Sequence, residues 1–369
     1  MLVFFCFFGC IFAEDSGFLL RDPGKNKRLN DTRMALDTLA SIAEKAQCSV
    51  STVSRVLSGK AEKYRISEAT VARVREVAEQ SNYTPSLLAK GLRAGKTDTI
   101  GLLIPGVDDT FFSGIASCII AEAKNVGYTT IVVDTQENVK NECEGLSTLL
   151  ARKVDGIIAV PCGKETDAFD KAVGADLPVV IVDRYFEKGD DWSFVTTDNY
   201  KGAVMAVEHL VSCGHRRIAC IQGSQDAMTC RERVRGYTDT MRRLGLEDHI
   251  RISGDRFSIQ NGYAETNLLL SGSDCPTAVI ALSNKILLGA VKAVTESGRR
   301  IPDDISIISF DDNLLFNYIT PRITCISQPV QEISLMAVKL LLKKIAGEKN
   351  ASHLFLPPGL VVRDSVKSL

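Results

Sequence analysis

The sequence has almost no net charge. Its 369 residues carry 44 Lys+Arg against 45 Asp+Glu, a balance of −1, which gives no hint of a polyanionic partner. Hydrophobic residues at 45% and charged residues at 24% exclude a disordered or fibrous chain. Residues 98–369 contain neither a G-x-x-x-x-G-K-[ST] loop nor a G-x-G-x-x-G run, so phosphate cradling has no support. Eleven cysteines are present, yet there is no C-x-x-C pair and no histidine at zinc spacing. Most lie in apolar runs such as Ile218-Ala219-Cys220-Ile221, where cysteine acts as a small buried hydrophobe. So long a chain is no disulfide scaffold, and the odd total points to reduced thiols in a cytosol. Of the four histidines, His209 and His215 take structural readings, His215 in a turn or capping role after Gly214, while His249 and His353 have no partner from which a nucleophile–base pair could be built. The expectation is a non-enzyme without metal or cofactor.

What is present starts with a misleading N-terminus. Residues 1–13, with Phe4, Phe5, Phe7, Phe8 and Phe12, read like the apolar stretch of a signal peptide. No Lys or Arg precedes them, and they fall short of the about 20 residues a membrane span needs. Export and an upstream start codon both explain this run. Residues 21–33 are polar and patternless, and Met34 stands directly before a helical pattern. Residues 1–34 are therefore expected to be a non-native extension, with Met34 as the working start.

At roughly 100–200 residues per domain the chain should hold two or three domains. Charge divides it unevenly. Residues 35–97 carry ten Lys/Arg against six Asp/Glu, and residues 98–369 carry 29 against 35. A basic head on an acidic body suggests a nucleic-acid module beside a domain that binds something else. In the head, Leu39, Ile42, Ala43 and Ala46 recur at helical spacing. Ser49 is placed to cap a second helix over Val50–Leu57, which Ser58-Gly59 ends. Ser67 opens a third helix through Val71, Val74, Val77 and Ala78 to about Gln80. Three short helices with a tight turn between the first two describe a helix-turn-helix. The exposed face of the second helix is Val50, Ser51, Ser54 and Arg55, small hydroxyls and one guanidinium that suit phosphates and base edges. A solvated helix in any small bundle would have the same composition.

Leu39-Ala40-Ser41-Ile42-Ala43-Glu44-Lys45-Ala46, then Ser49-Val50-Ser51-Thr52-Val53-Ser54-Arg55-Val56-Leu57, then Asn82-Tyr83-Thr84-Pro85 and Ser86–Arg93 stand in one register. These blocks resemble the DNA-binding head of the LacI/GalR (lactose-repressor) family of bacterial transcription regulators. The resemblance implies that Ser49, Val50 and Ser51 open the recognition helix and help select bases. Ser54 and Arg55 would contact phosphate or guanine, and Asn82 and Tyr83 the backbone of double-stranded DNA. Residues 86–97 would be a hinge helix and linker that orders on the operator, with Ala89 near the minor groove and Leu92 wedged into it, kinking the duplex. One departure is Gln47, where the family's turn usually carries glycine. A left-handed residue there costs on the order of 1 kcal/mol.

Residues 98–369 show apolar runs alternating with helical stretches: Thr99–Pro105, Tyr128–Asp134, Asp155–Pro161 and Leu177–Asp183, then Arg217–Gly223, His249–Ser253, Thr277–Ser283 and Ile305–Phe310. Runs without alternation read as strands buried on both faces, hence parallel sheets with helical crossovers. Two subdomains or one larger doubly wound domain both fit this period. Ile100–Pro105, Val182-Asp183-Arg184, Gly214–Ala219, Ile301–Ser306 and Phe310-Asp311-Asp312 resemble the family's effector domain. That implies an all-α helix-turn-helix head, 35–85, followed by an α/β two-lobe, periplasmic-binding-protein-like body. One lobe would span about 98–197 and 328–355, the other 198–327 and 356–369.

Ligands in open α/β sheets bind at the carboxyl ends of strands. By position and by match, the candidates are Asp108, Phe111, Phe112, Asp183 and Arg184 from one lobe. Arg233, Phe257, Ser283, Asn284 and Asp311 come from the other, with Gln328 at a crossing. At least one of Phe111 and Phe112 should be core. Carboxylates and arginines with aromatic faces suit a polyol, although purines bind on the same fold. The resemblance implies a cytoplasmic homodimer that grips a near-palindromic operator and responds to a small sugar-like effector, with repression as the default sign. With no leucine-heptad tail, a dimer is expected over a tetramer, and no membrane association is expected. An exported sugar-binding protein is the alternative; it would leave the helix-turn-helix idle.

Overall fold

The computed structural model describes residues 38–81, 83, 95–186, 191–272 and 274–369. The chain divides into two compact units, residues 1–85 and 86–369.

In the first unit, α1 (Leu39–Lys45), α2 (Val50–Leu57) and α3 (Glu68–Gln80) form a three-helix head. Each begins where a hydroxyl meets an orphan backbone N–H. The Thr38 side chain accepts from Ser41 N at 3.2 Å, Ser49 from Thr52 N at 3.1 Å and Ser67 from Thr70 N at 3.3 Å, and each such cap is worth about 1 kcal/mol. Gln47 adopts φ 49 in the turn between the first two helices, and Gly59 takes φ 72 after the second. Ile42, Ala43, Ala46, Val53, Val56, Val74 and Ala78 make a single core. Arg73 ties the third helix to the first by donating from Nε to the Ala46 carbonyl at 2.8 Å.

The second unit holds two six-stranded sheets. Its strands are β1 (Thr99–Ile104), β2 (Thr129–Asp134), β3 (Gly156–Ala159), β4 (Val179–Val182), β5 (Phe194–Thr197) and β6 (Ile218–Ile221). They continue with β7 (Arg251–Ser253), β8 (Ala278–Ala281), β9 (Ser306–Phe310), β10 (Thr324–Ser327), β11 (His353–Leu356) and β12 (Gly359–Val361). The helices are α4 (Thr110–Asn125), α5 (Val139–Ala151), α6 (Asp167–Gly174) and α7 (Asn199–Ser212), followed by α8 (Met228–Arg243), α9 (Ile259–Ser271), α10 (Asn284–Glu296) and α11 (Val330–Ile345).

The first sheet runs β11-β5-β4-β3-β1-β2 and the second β12-β10-β9-β8-β6-β7. The two orders are the same if β11 answers to β12, so the lobes are structural repeats. The chain passes between sheets after β5, after β10 and between β11 and β12. All pairings are parallel except β10 with β12, where Cys325 faces Val361. That strand departs from the expected all-parallel pattern because it arrives from the other lobe without a helical crossover, and an antiparallel edge strand needs none.

The central strands β1, β3, β4, β6 and β8 are apolar along their length because each is covered on both faces, whereas the edge strands are partly exposed. In β1, Ile100, Leu102 and Ile104 enter a core with α4 and α11, while Leu103 enters a second core with Leu146, Leu149 and Phe169. In β8, Ala278 and Ile280 face one core of the second lobe, and Val279 and Ala281 the other. Each buried Val, Leu or Ile contributes about 1.5–3 kcal/mol, so polar residues are displaced to the strand ends. Those ends carry the site.

Candidate functional site

In the head, Ser49 caps α2, and its hydroxyl also lies 2.7 Å from that of Ser51 and 2.9 Å from that of Thr52. Val50 is 42% exposed at the start of this helix. Ser51 and Arg55 are exposed and Ser54 is half-buried. The Arg55 guanidinium lies 4.0 Å from the centroid of the Tyr64 ring, a cation–π contact that pre-orders a long cation on the surface. Tyr83 packs partly against the head core. Asn82, Ala89 and Leu92 lie outside the described residues.

In the body, a cavity open to solvent lies where the carboxyl ends of both sheets converge. Phe111, Phe112, Asp183, Arg184, Arg233, Phe257, Ser283, Asp311 and Gln328 all line it. The two phenylalanine rings open α4, meet edge to face at 5.3 Å and belong to the first lobe's core. Asp183 directly follows β4 and Asp311 directly follows β9, the same position in the two repeats. Both take left-handed backbone, φ 64 and φ 72, a conformation Asp tolerates better than most residues. This turns each carboxylate off its strand end and into the cleft.

Both carboxylates are buried, 3% and 5% exposed. Burial pushes the Asp183 carboxyl up to about 6, against the opposing pull of Arg233 and then Arg184. Burial also raises Asp311, with Arg233 and a hydrogen bond from Gln328 holding it down. Gln328 donates from Nε2 to Asp311 Oδ1 at 2.5 Å. Arg233 is pinned by Nε to Asn199 Oδ1 at 2.7 Å, by Nη1 to the Leu282 carbonyl at 2.8 Å, and by stacking at 3.9 Å on Phe310. Ser283 caps α10, accepting from Ile286 N at 3.3 Å.

Four buried polar atoms around the cleft have no partner: Asp183 Oδ1, Arg184 Nε, Asn284 Oδ1 and Gln328 Oε1. Each unmet buried group costs about 1–3 kcal/mol, so their concentration here marks a place built for something else to complete. Three of the four are acceptors, which calls for a ligand rich in donors.

Two candidates stand apart from the cavity lining. Asp108 points outward and accepts from Lys285 Nζ at 3.1 Å, because its neighbour Asp109 takes the α4 cap by accepting from Phe111 N at 3.0 Å. Asn284 is buried at the lobe seam and donates to Thr110 Oγ1 at 3.3 Å. Lining residues that sequence reasoning missed are Pro105, Gly106, Asp109, Glu137, Thr229 and Lys285. Asp109 caps α4, a signal that helix-cap reading could have found; Thr229 and Lys285 lie in the first turns of α8 and α10 without capping them, and Glu137 carried no signal. His215 fills a turn role, its ring nitrogens 2.9 Å from Thr277 Oγ1 and 3.1 Å from the Lys367 carbonyl. Among the described residues, no group of three or more His, Cys, Asp or Glu is placed to hold a metal ion, and no helix is long and apolar enough to cross a membrane.

A helix-turn-helix head and a two-lobed body with a polar, partly unsatisfied cleft define the class of ligand-binding transcription regulators. Known proteins match on the same lines. Residues 38–86 match the family "Bacterial regulatory proteins, lacI family", and residues 207–366 match "Periplasmic binding protein-like domain". The ribose operon repressor of Haemophilus influenzae is 32% identical over 335 residues, 90% of this chain and 99% of that protein. The transcriptional repressor PurR of Photobacterium profundum is 30% identical over 337 residues, again 90% and 99%. The crystal structure of the lac repressor dimer bound to operator and the anti-inducer ONPF superposes with a TM-score of 0.80 at 27% identity, covering 90% of this chain and 99% of that one. A LacI family regulator from Enterococcus faecium with bound ribose gives 0.68 at 30% identity over 73% of this chain and 99% of that one. The chain belongs to the lacI family of bacterial regulatory proteins and is a transcription regulator. An exported binding protein, the alternative raised by residues 1–13, has no use for a DNA-binding head.

Proposed function

We propose that this protein is a cytoplasmic homodimeric repressor whose grip on a near-palindromic DNA operator is set by a small polyhydroxylated effector in the cleft. The observation that carries the effector's class is the set of unpartnered acceptors, Asp183 Oδ1 and Gln328 Oε1, in a cavity also lined by Phe111, Phe112 and Phe257. Sugar hydroxyls donate to such acceptors while the ring's C–H face packs on aromatics. The ribose operon repressor relatives and the ribose held by the Enterococcus faecium regulator support a pentose-sized ligand. A purine offers fewer donors for the same acceptors.

In this reading, residues 35–85 read DNA, residues 86–97 are the hinge, and residues 98–369 bind effector and dimerise. Ser49, Val50, Ser51, Ser54 and Arg55 contact the major groove or its phosphates, and Asn82 and Tyr83 the backbone. Ala89 and Leu92 meet the minor groove at the operator centre. Arg233 and Asp311 hold hydroxyls from the second lobe, Asp183 and Arg184 from the first, and Gln328 at the crossing between them. Ser283, Asn284 and Asp108 govern the seam. Effector bound to both lobes fixes their angle, and that angle sets how well the paired hinges fit DNA, a coupling through two global states. Isothermal titration of the full chain with D-ribose, D-gluconate and hypoxanthine tests the effector class. D-ribose is expected to bind; saturation by hypoxanthine with no response to D-ribose would move the effector to the nucleobases.

A further inference from the structure

Of the three cations that line the cleft, two are paired with carboxylates. Lys285 is bridged to Asp108 at 3.1 Å and Asp109 at 3.8 Å. Arg233 is fixed on neutral oxygens and lies in the field of Asp183 and Asp311. Arg184 is met head-on: Nη1 donates to Glu137 Oε2 at 2.8 Å and Nη2 to Glu137 Oε1 at 2.5 Å, with the Pro161 carbonyl accepting from Nη1 at 3.1 Å. This is the two-pronged geometry by which an arginine grips a ligand carboxylate or phosphate.

Glu137 differs from the other acids of the cavity. Asp183 and Asp311 are buried at strand ends, whereas the Glu137 side chain remains 46% exposed on the loop after β2. Two successive residues there, Gln136 at φ 54 and Glu137 at φ 52, hold left-handed backbone without a glycine, at a cost on the order of 1 kcal/mol each. The Glu137 amide donates to the Pro105 carbonyl at 2.9 Å, tying this turn to the end of β1. A loop held in that shape delivers a carboxylate onto a guanidinium that is itself only 7% exposed. With Glu137 in place, the cavity lining carries the carboxylates of Asp109, Glu137, Asp183 and Asp311 against Arg184, Arg233 and Lys285.

We propose that Glu137 is a built-in anion that occupies the Arg184 fork, excludes phosphorylated and carboxylated ligands from the cleft, and so restricts the effector to uncharged polyols. This deepens the proposed function and rests on its placement of the effector in this cleft. Arg184 keeps only its unpartnered Nε for a ligand oxygen. An incoming phosphate would have to evict Glu137 and then sit among three further carboxylates.

The test compares the full-length wild type with Glu137→Gln and Glu137→Ala by isothermal titration at neutral pH, using inorganic phosphate and D-ribose as probes. Glu137→Ala is expected to bind phosphate at least about 30-fold more tightly than the wild type. Glu137→Gln keeps a hydrogen bond to Arg184 without the charge and should gain a smaller factor. Because Glu137 is half exposed, the Gln variant retains the fold and carries the test if the Ala variant does not. Equal phosphate affinity across the folded proteins, or tight phosphate binding by the wild type, overturns the proposal. If D-ribose binds none of the proteins while phosphate binding still rises in the variants, the polyol reading falls and the exclusion role of Glu137 stands. If D-ribose binds the wild type and phosphate gains nowhere, the exclusion role falls and the polyol reading stands.

Discussion

Replacing Asp183 with Asn should stabilise the ligand-free protein while disabling it. Asp183 is 3% exposed, its Oδ1 has no partner, and burial holds its carboxyl at about 6 instead of 3.8. Each unit of such a shift is 1.36 kcal/mol, so ionising this group in the folded state costs roughly 3 kcal/mol at pH 7.5. Asn is nearly the same shape and tolerates the left-handed backbone at φ 64. Its amide brings an unmet hydrogen bond of its own, worth about 1–2 kcal/mol, so the net gain should be about 1–2 kcal/mol. The sign follows from proton linkage. Between pH 3.8 and about 6 the folded carboxyl holds a proton that the unfolded one has lost, so its contribution to stability is full below 3.8 and disappears as pH rises through 6. The advantage of Asp183→Asn is therefore largest above pH 6 and fades towards pH 4. The chain's single tryptophan, Trp192, is buried against Phe169 and Phe186 in the same lobe, so urea unfolding followed by its fluorescence reads the right region. The polyol should bind the variant about 10- to 100-fold more weakly, the worth of a hydrogen bond to a charged group. A variant less stable than wild type at pH 7.5, or a stability gap that does not change with pH, would show that the ionised Asp183 carboxylate does not destabilise the fold.

Three further changes probe other parts of the structure. A Cβ at Gly223 would stand 2.3–2.5 Å from the Phe257 ring, so Gly223→Ala should push that ring out of its place in the cleft, destabilise by about 1–3 kcal/mol and weaken polyol binding; adding Phe257→Leu should recover stability, measured as a non-additive double-mutant cycle. Arg233→Ala leaves Asp183 and Asp311 without the countercharge that acts on them most strongly and should cost about 3–5 kcal/mol in urea unfolding and abolish the effector response; Arg233→Lys should restore part of the stability, and equal losses in both variants would sink the electrostatic role. Gln47→Gly relieves the left-handed turn of the head and should slow amide exchange across residues 39–57 by an amount equivalent to about 0.5 kcal/mol.

The elements that could be read in advance were those with one dominant physical signal. Ser49 and Ser67 mark helix starts because a hydroxyl before an apolar-periodic stretch has few other uses, and Thr99–Ile104 or Ser306–Phe310 are apolar because both faces are covered. Phe194–Thr197 and Thr324–Ser327 escaped notice because they are four residues long and carry threonine and serine, while His353–Leu356 and Gly359–Val361 are edge strands with partly exposed faces. Asp183 and Asp311 were legible as the residues that follow buried strands. Asp108 and Asp109 are chemically alike, and only the cap on Phe111 decides which of them faces the cavity. Glu137 was invisible because its place depends on two non-glycine residues in left-handed backbone, a conformation that no residue type in the stretch announces.

Under the proposed function, one molecule reads DNA with its head and a polyol with its body, and each site reports on the other. The most direct test selects a near-palindromic duplex from a random pool with the full chain and titrates it by fluorescence anisotropy with and without saturating D-ribose. D-ribose is expected to weaken duplex binding by about 5- to 150-fold, and the duplex to weaken D-ribose binding by the same factor. Duplex affinity unchanged by D-ribose, with both ligands bound, would contradict this coupling.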